Sequence, residues 1–223
     1  MAQQDDQARA IAEAYDGEAE ATGWLGPGVA FGLASEYIQP GQSILDIGIG
    51  TGLGSIPFRR ARLKVYGMDV SREMLDVCRR KGFTDLTRHD LTKCPYPYSS
   101  ESMDCVICLG VLQFFSDLSL VFLETTRILR KGGLFIFVVG DRTENEAMEV
   151  VVEAELTKLG VAVTMYRHSV RQIKTWTTES NFIMIRDLPF TVYMDCQKRR
   201  SFQVRAHLVR KREGIEQCLG GDA

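Results

Sequence analysis

The sequence has 223 residues, of which 45% are hydrophobic and 25% charged, and its formal net charge is -2 at pH 7. A chain of this length and apolar content can bury the core of one domain, and its balanced charge gives no global reason to expect binding to nucleic acid or membrane. Residues 1–6 lack the features of a signal peptide and the longest apolar run, residues 134–139, is too short to span a bilayer, so we expect a cytoplasmic protein with no membrane partner.

The first forty residues predict helices. An acidic, alanine-rich stretch over residues 7–22 is typical of a surface helix, and residues 24–28 interrupt it. Residues 29–38 predict a second helix, and Pro40 with Gly41 predicts a turn.

From residue 43 onward, strand patterns alternate with helix patterns. The predicted strands are residues 43–48, 64–69, 85–89, 103–109 and 134–139. The predicted helices run from after Gly52 to residue 62, over 71–81 and over 117–131. This alternation predicts an α/β fold with a doubly wound, mostly parallel sheet.

The pattern changes after residue 140. Two capping boxes, Thr143 with Glu146 and Ser169 with Gln172, predict helices that end near residues 159 and 180. Strand-like segments follow at 182–185, 190–194 and 202–209, and Pro189 predicts a break or a sheet edge. Since no linker or repeat is visible, residues 1–223 predict one domain. It would comprise a helical cover (1–40), a cofactor-binding half (43–140), and substrate-side helices with terminal strands (141–223).

The most informative segment is Ile44–Gly52. A buried strand ends at Asp46, and Gly48, Gly50 and Gly52 follow at alternate positions, where a tight turn would let a ligand lie against bare backbone. Ligands of open α/β sheets bind at the carboxyl ends of the strands. The polar candidates at those ends are therefore Asp46, Asp69, Asp90 and the Leu109–Gly110 step.

These carboxylates suit a nucleoside. Asp69 ends the second strand and is suited to accept both ribose hydroxyls, since Ser71 already supplies the helix cap. Asp90 could accept from an exocyclic adenine amine, or be an ordinary loop carboxylate.

A dinucleotide fits this segment poorly. A strict G-x-G-x-x-G pattern fails, because Leu53 and Ser55 stand where its third glycine would be. A carboxylate at Asp46 would also repel a pyrophosphate. It instead suits a cofactor with cationic groups and no phosphate, such as S-adenosylmethionine.

Five segments in this order resemble class I S-adenosylmethionine-dependent methyltransferases. Residues 46–52 resemble the glycine-rich motif of that family, and residues 67–75 its acidic second motif. Asp90–Leu91 resembles its adenine-contacting position, residues 104–112 its fourth-strand motif, and residues 129–134 its turn into strand five. The resemblance implies a Rossmann-like, seven-stranded sheet whose last strand is antiparallel, with an N-terminal helical cover.

The resemblance also implies roles for individual residues. Near the methionine part of the cofactor we expect Asp46, Gly48, Gly50, Gly52, Leu109 through its carbonyl, and Gln113. Near the ribose and adenine we expect Asp69, Val70, Met74, Asp90 and Leu91. Tyr15 and Trp24 resemble the helix that closes over the cofactor, although core packing explains such aromatics equally well.

No catalytic residue is forced by the sequence, because the thioether that leaves a methyl sulfonium needs no acid. His168 precedes a capped helix, in a Tyr-x-His-Ser step that resembles one in a bacterial methyltransferase subgroup. With Tyr166 it is a candidate base or substrate contact; a merely structural helix flank is the alternative. Cys105 and Cys108 match C-x-x-C but lie in a strand pattern, so we expect no metal site.

The methyl acceptor is the least determined part of the prediction. Residues 140–180 mix polar and aromatic side chains, which favours a small molecule. No Asn-Pro-Pro-Tyr type sequence follows the fourth strand, which disfavours nucleic-acid amines. A protein or RNA substrate, or a partner subunit that binds the cofactor without catalysis, remain alternatives, and the sequence gives no indication of oligomeric state.

Overall fold

The computed structural model describes residues 2–152, 162–195 and 200–213. The helices in these ranges are α1 (Ala2–Ala21), α2 (Gly26–Ala34), α3 (Ile56–Arg60), α4 (Arg72–Arg80), α5 (Ser119–Ile128) and α6 (Val170–Glu179). A short 3-10 turn covers Leu112–Phe114. The strands are β1 (Ser43–Ile47), β2 (Lys64–Asp69), β3 (Asp85–Arg88), β4 (Met103–Cys108), β5 (Leu129–Arg142), β6 (Glu149–Val152), β7 (Val163–Ser169), β8 (Phe182–Asp195) and β9 (Arg200–Lys211).

The strands form a mostly parallel sheet, which confirms the predicted fold class. Strands β3, β2, β1, β4 and β5 are adjacent in that order, and each neighbouring pair is parallel. The last strand, β9, is antiparallel to β5 and to β8, as expected. The described sheet has nine strands rather than seven, because β6 and β7 are additional.

Strand β5 has two further neighbours besides β4, and Gly140 pairs with both of them. Its Leu134–Gly140 segment pairs with β9, whereas Gly140–Arg142 at its carboxyl end pairs with β7. Strand β6 in turn pairs antiparallel with β7. The β6–β7 pair therefore joins the sheet only at the carboxyl end of β5, where the parallel strands end.

Alternation along β4 separates two hydrophobic clusters. Val106 and Cys108 pack in the cluster that includes Phe122 of α5, whereas Cys105 and Ile107 pack in the cluster that includes Ala30 of α2. Residues three apart on a strand face opposite ways. The two cysteines of the C-x-x-C sequence therefore cannot bind one metal ion or form a redox pair within this strand.

The helix predicted from Thr143 to residue 159 is wrong as far as residue 152; its remaining positions lie outside the described residues. The backbone N–H of Thr143 does donate to Glu146 Oε2 at 2.6 Å, as a capping box requires. The chain then enters β6, because Glu149–Val152 is rich in β-branched valine and finds a partner in β7.

Other element boundaries also differ from the prediction. Helix α2 begins at Gly26 and ends at Ala34, with Pro27 in its first turn, where a missing N–H does no harm. Helix α5 ends at Ile128, since Leu129 already belongs to β5. Strand β8 continues through Pro189, which pairs with Arg205; among the described strands β8 pairs only with β9, so Pro189 lies at a sheet edge rather than at a break.

None of the described helices is long and apolar enough to cross a membrane.

Candidate active site

The glycine loop between β1 and α3 is shaped by close backbone approaches. Gly48 has φ +75, and a Cβ there would lie 2.2 Å from Val111 Cγ2. A Cβ at Gly52 would lie 2.6 Å from the Phe83 ring. A Cβ at Gly50 would meet nothing within 4 Å, so this glycine faces open space at φ +54. The outer two glycines therefore hold the loop against the domain, and the middle one leaves bare backbone exposed to a ligand.

Asp69 is attached to this loop through its carboxylate. Its Oδ2 accepts the backbone N–H of Gly50 at 2.9 Å, and its Oδ1 accepts that of Ser71 at 2.8 Å. Burial raises the pKa of Asp69, and these backbone hydrogen bonds oppose that rise. Each oxygen retains lone-pair capacity for a ligand hydroxyl. This geometry is compatible with the predicted ribose contact, which stays a prediction.

Asp46 lies beneath the loop rather than in the open crevice. Its side chain is 2% exposed, and its Oδ2 accepts from Ser55 Oγ at 2.7 Å. Burial raises the pKa of Asp46 to about 7, the Ser55 hydrogen bond opposes this, and the nearby Asp69 carboxylate adds to it. A cation bound above the loop would favour the ionised form.

The predicted adenine side combines an exposed apolar residue with a rigid turn. Val70 is 59% exposed, whereas Met74 is half-buried in α4. Asp90 Oδ1 accepts from the backbone N–H and Oγ1 of Thr92 at 2.9 and 2.8 Å, and these bonds lower its pKa. Leu91 is buried, and its carbonyl accepts from Tyr96 Oη at 3.0 Å. Val70, exposed directly after Asp69, leaves an apolar surface for a planar ring.

The loop after β4 faces the glycine loop. Leu109 is buried, and Trp24 Cζ2 lies 3.8 Å from where a Cβ on Gly110 would be. Gln113 Nε2 donates to the Gly110 carbonyl at 2.8 Å. Trp24 therefore lies beside this loop and also packs against a buried core cluster, and the amide of Gln113 is held at the same loop. The predicted cofactor contacts of both residues stay predictions.

Helix α1 is fastened to the glycine loop through Asp16, the neighbour of the half-buried Tyr15. Asp16 Oδ1 accepts from Thr51 Oγ1 at 2.5 Å, and Oδ2 forms an ion pair with Lys81 at the end of α4. Glu13 pairs with Arg80 of the same helix at 2.5 Å. The predicted helical cover is therefore present, and it is attached by polar contacts.

His168 and Tyr166 lie on one face of β7, two residues apart. His168 is 1% exposed, and its Nε2 lies 3.1 Å from the carbonyl oxygen of Phe115. Tyr166 is half-buried and pairs with Glu149 of β6. The role of either residue in catalysis stays a prediction, and the burial of His168 bears on it below.

Three residues of the site were missed by the sequence prediction. Ser55 is the hydrogen-bond partner of Asp46, Thr51 is that of Asp16, and Phe114 is 48% exposed beside Gln113. Nothing local in the sequence identifies Ser55 or Thr51. Phe114, an apolar residue two positions after the fourth-strand motif, could have been noticed in the sequence.

The residues present fit a phosphate-free nucleoside cofactor. Carboxylates rather than cations border the glycine loop, and the open side of Gly50 admits a ligand against backbone. Within the described ranges, no group of three or more His, Cys, Asp or Glu side chains is arranged to hold a metal ion. Fold and site together define an α/β domain for an adenosyl cofactor.

Comparison with known proteins agrees with this class. Residues 45–137 match the family model described as a methyltransferase domain. The chain is 30% identical over 170 residues to malonyl-[acyl-carrier protein] O-methyltransferase of Serratia marcescens, covering 70% of this chain and 65% of that protein. It is 29% identical over 101 residues to demethylmenaquinone methyltransferase of Tropheryma whipplei, covering 44% and 42%. The chain thus spans less than two thirds of the length of these relatives.

A solved structure with the same fold is a SAM-dependent methyltransferase of Methanosarcina mazei, with a TM-score of 0.68 at 14% identity, covering 81% of this chain and 97% of that one. The chain belongs to the class I S-adenosylmethionine-dependent methyltransferase family. Its cofactor is S-adenosylmethionine.

Proposed function

We propose that this protein transfers the methyl group of S-adenosylmethionine to a small-molecule acceptor. The observation that supports it most directly is the Asp69 carboxylate, held by the Gly50 and Ser71 amides at the strand edge beside the exposed Val70. A carboxylate fixed in this way accepts ribose hydroxyls without reorganisation, which favours tight binding.

The side chains near this edge favour an apolar acceptor of modest size. Leu25 is 55% exposed beside Trp24, and Phe114 is 48% exposed on the 3-10 turn. Arg142 is engaged within the protein: it donates to the Arg167 carbonyl at 3.2 Å and to Gln172 Oε1 at 2.5 Å. Aromatic and aliphatic surface suits a ring or acyl chain better than a phosphate backbone.

Catalysis in this arrangement depends on positioning. Bound S-adenosylmethionine supplies an electrophilic methyl group on a sulfonium. The chain's own residues orient the cofactor and the acceptor, and alignment of reacting groups contributes roughly 7–11 kcal/mol in well-oriented systems. A general base would add about 10²–10⁴-fold if the acceptor must lose a proton.

One experiment separates this proposal from the two alternatives, which are a protein or RNA substrate and a cofactor-binding subunit without catalysis. The purified protein is first titrated with S-adenosylmethionine and with NAD in a calorimeter; binding of the former alone is expected. It is then incubated with S-[methyl-³H]adenosylmethionine and separate metabolite, protein and RNA fractions. Label in the metabolite fraction is expected, and Asp69→Ala should abolish it.

Label found only in protein or RNA would overturn the small-molecule acceptor while leaving the methyltransferase in place. Tight cofactor binding without label in any fraction would instead favour the non-catalytic partner subunit. Lys131 is exposed at the amino end of β5, at the opposite edge of the sheet from the glycine loop, and supplies a control. Lys131→Ala should leave the labelling unchanged.

A further inference from the structure

A buried histidine joins three elements beside the proposed acceptor site. His168 lies near the end of β7, with Nε2 3.1 Å from the carbonyl oxygen of Phe115. Its ring contacts Trp176 of α6 edge to face, with centroids 5.3 Å apart. Ser169, the next residue, caps α6 through a complete capping box with Gln172. The position of His168 is therefore fixed on both sides.

The hydrogen bond determines which nitrogen holds the proton. A carbonyl oxygen only accepts, so Nε2 donates and Nδ1 keeps its lone pair. Nδ1 is buried and has no hydrogen-bond partner among the described residues. Burial lowers the pKa of His168 and the neighbouring Arg142 lowers it further, whereas the Phe115 and Leu112 backbone and Asp117 oppose this. The ring is a neutral donor at pH 7.

This donor holds the segment that follows β4. The 3-10 turn, Leu112–Phe114, has only local backbone bonds at its end: Phe114 N–H to Val111 at 3.1 Å and Phe115 N–H to Leu112 at 3.2 Å. The His168 bond connects Phe115 to a strand 53 residues away. The same turn carries Gln113, which is predicted to contact the cofactor, and the exposed Phe114, which lies near the acceptor in the proposed function.

We propose that His168 is a positioning residue, whose Nε2–H fixes the 3-10 turn so that Gln113 and Phe114 meet the bound cofactor and the acceptor. The one nitrogen of His168 that could take a proton, Nδ1, is buried in a side chain with 1% exposure, so it is poorly placed to act as a base on substrate. The claim that Phe114 meets the acceptor rests on the proposed function. The claim that Gln113 meets the cofactor does not depend on the identity of the acceptor.

Two amide substitutions separate this role from general packing. The side-chain nitrogen of His168→Gln reaches the place of Nε2, whereas that of His168→Asn reaches only the place of Nδ1. Binding of S-adenosylhomocysteine, measured by calorimetry, should stay within about twofold for Gln and weaken by about 5–10-fold for Asn, as the loss of one hydrogen bond of ordinary strength predicts. Circular dichroism and thermal unfolding establish that each variant is folded.

His207 provides the matched control. It is fully buried in β9, stacks on Phe137 with centroids 5.0 Å apart, and neither ring nitrogen has a partner among the described residues. His207→Phe should leave the affinity for S-adenosylhomocysteine unchanged. Equal affinities for the Gln and Asn variants of His168 would overturn the proposal, as would an Asn variant that binds like the wild type.

Nuclear magnetic resonance tests the bond without any variant. The chain has three histidines, so their imidazole ¹⁵N signals can be assigned individually. His168 should show the neutral, Nε2-protonated tautomer at pH 7. A proton on Nδ1, or a charged ring at that pH, would overturn the proposal even if His168→Asn failed to fold.

The methyl-transfer assay distinguishes positioning from base catalysis. If His168 were the base, His168→Gln would bind S-adenosylhomocysteine normally yet lose about 10²–10⁴-fold in label transferred to the metabolite fraction. That result would overturn the positioning role and leave the small-molecule acceptor standing. Label in protein or RNA only would instead overturn the proposal of a small-molecule acceptor. The S-adenosylhomocysteine titrations would still decide the role of His168.

Discussion

Asp46 shows how one buried carboxyl links this site to pH. The folded protein raises its pKa from 3.8 to about 7, so the folded state binds this proton more tightly than the unfolded state does. The free energy of unfolding therefore falls as pH rises from about 4 to about 7. Over the upper two pH units of that window, the loss from this group is on the order of 3 kcal/mol.

We expect Asp46→Asn to remove this dependence. The amide keeps an oxygen for Ser55 but has no charge to desolvate, so the variant should be the more stable protein at pH 8 when cofactor is absent. Urea unfolding at pH 5 and pH 8 measures the difference. Ser55→Ala should raise the pKa further and steepen the wild-type loss, whereas parallel profiles for Asp46→Asn and wild type would contradict the assignment.

Gly48 is the glycine whose replacement has the clearest structural cost. Gly48→Ala places a methyl group 2.2 Å from Val111 Cγ2 at φ +75. We expect a loss of about 3 kcal/mol in unfolding free energy, from overpacking and from the left-handed backbone together, and a loss of cofactor binding. Chemical denaturation and calorimetry measure the two effects.

The second-site change Val111→Ala separates the two causes. It relieves the contact but not the backbone strain, so Gly48→Ala with Val111→Ala should recover part of the stability. Full recovery would mean that the positive φ costs nothing, and no recovery would mean that Val111 is not the obstacle.

At the scale of elements, α1 is attached by side chains that differ in burial. Asp16 meets the buried Thr51 and the mostly buried Lys81, whereas the Glu13–Arg80 pair is half-exposed. Exposed pairs contribute little. We expect Asp16→Ala to increase hydrogen exchange along α1 and to weaken S-adenosylhomocysteine binding several-fold, while Glu13→Gln changes neither. Equal effects of the two substitutions would show that α1 is held by other contacts.

The elements also show which parts of the fold were predictable from sequence. The strands β1 to β5 and the glycine loop were predicted because their signals are local: apolar runs, strand-end aspartates and glycines at alternate positions. The hairpin of β6 and β7 was missed because its pairing to β5 joins Asp141 with His168, a contact between distant parts of the chain. At Thr143 only one half of the predicted capping box formed, since the Glu146 N–H donates to the Thr143 carbonyl instead of its side chain, and no helix starts there.

The same distinction holds within the site. Asp69 was predicted as a site residue from its place at a strand end, Asp46 from the loop that follows it, and Val70 from the family resemblance. The hydrogen-bond partners within the site were not predictable, because they are distant in sequence. Thr51 and Asp16 are 35 residues apart, and Gly50 and Asp69 are 19 residues apart. Sequence position indicates which strand end a residue occupies, but tertiary packing decides what it touches.

At the scale of the whole molecule, Arg205 connects the last strands to the edge of the site. It donates to Asp141 Oδ1 and Oδ2, each at 3.1 Å, and to Asp187 of β8. We expect Arg205→Met to cost roughly 2–4 kcal/mol in unfolding free energy, because two carboxylates would be left facing each other without a cation. Denaturant unfolding measures it.

Adding Asp187→Asn to Arg205→Met removes one of the two carboxylates and should restore part of that stability. If the double variant were no more stable than Arg205→Met alone, carboxylate repulsion would not be the cause.

The attachment of the hairpin has a consequence for how this fold diversifies. Strand β7 joins β5 over three residues, Gly140–Arg142, and the other seven strands pair among themselves without it. Exchange of residues 143–167, which leaves His168 and its bond to Phe115 in place, would thus change the rim around the proposed acceptor site and spare the glycine loop. Such an exchange offers a way to change acceptor selectivity without rebuilding the parallel strands.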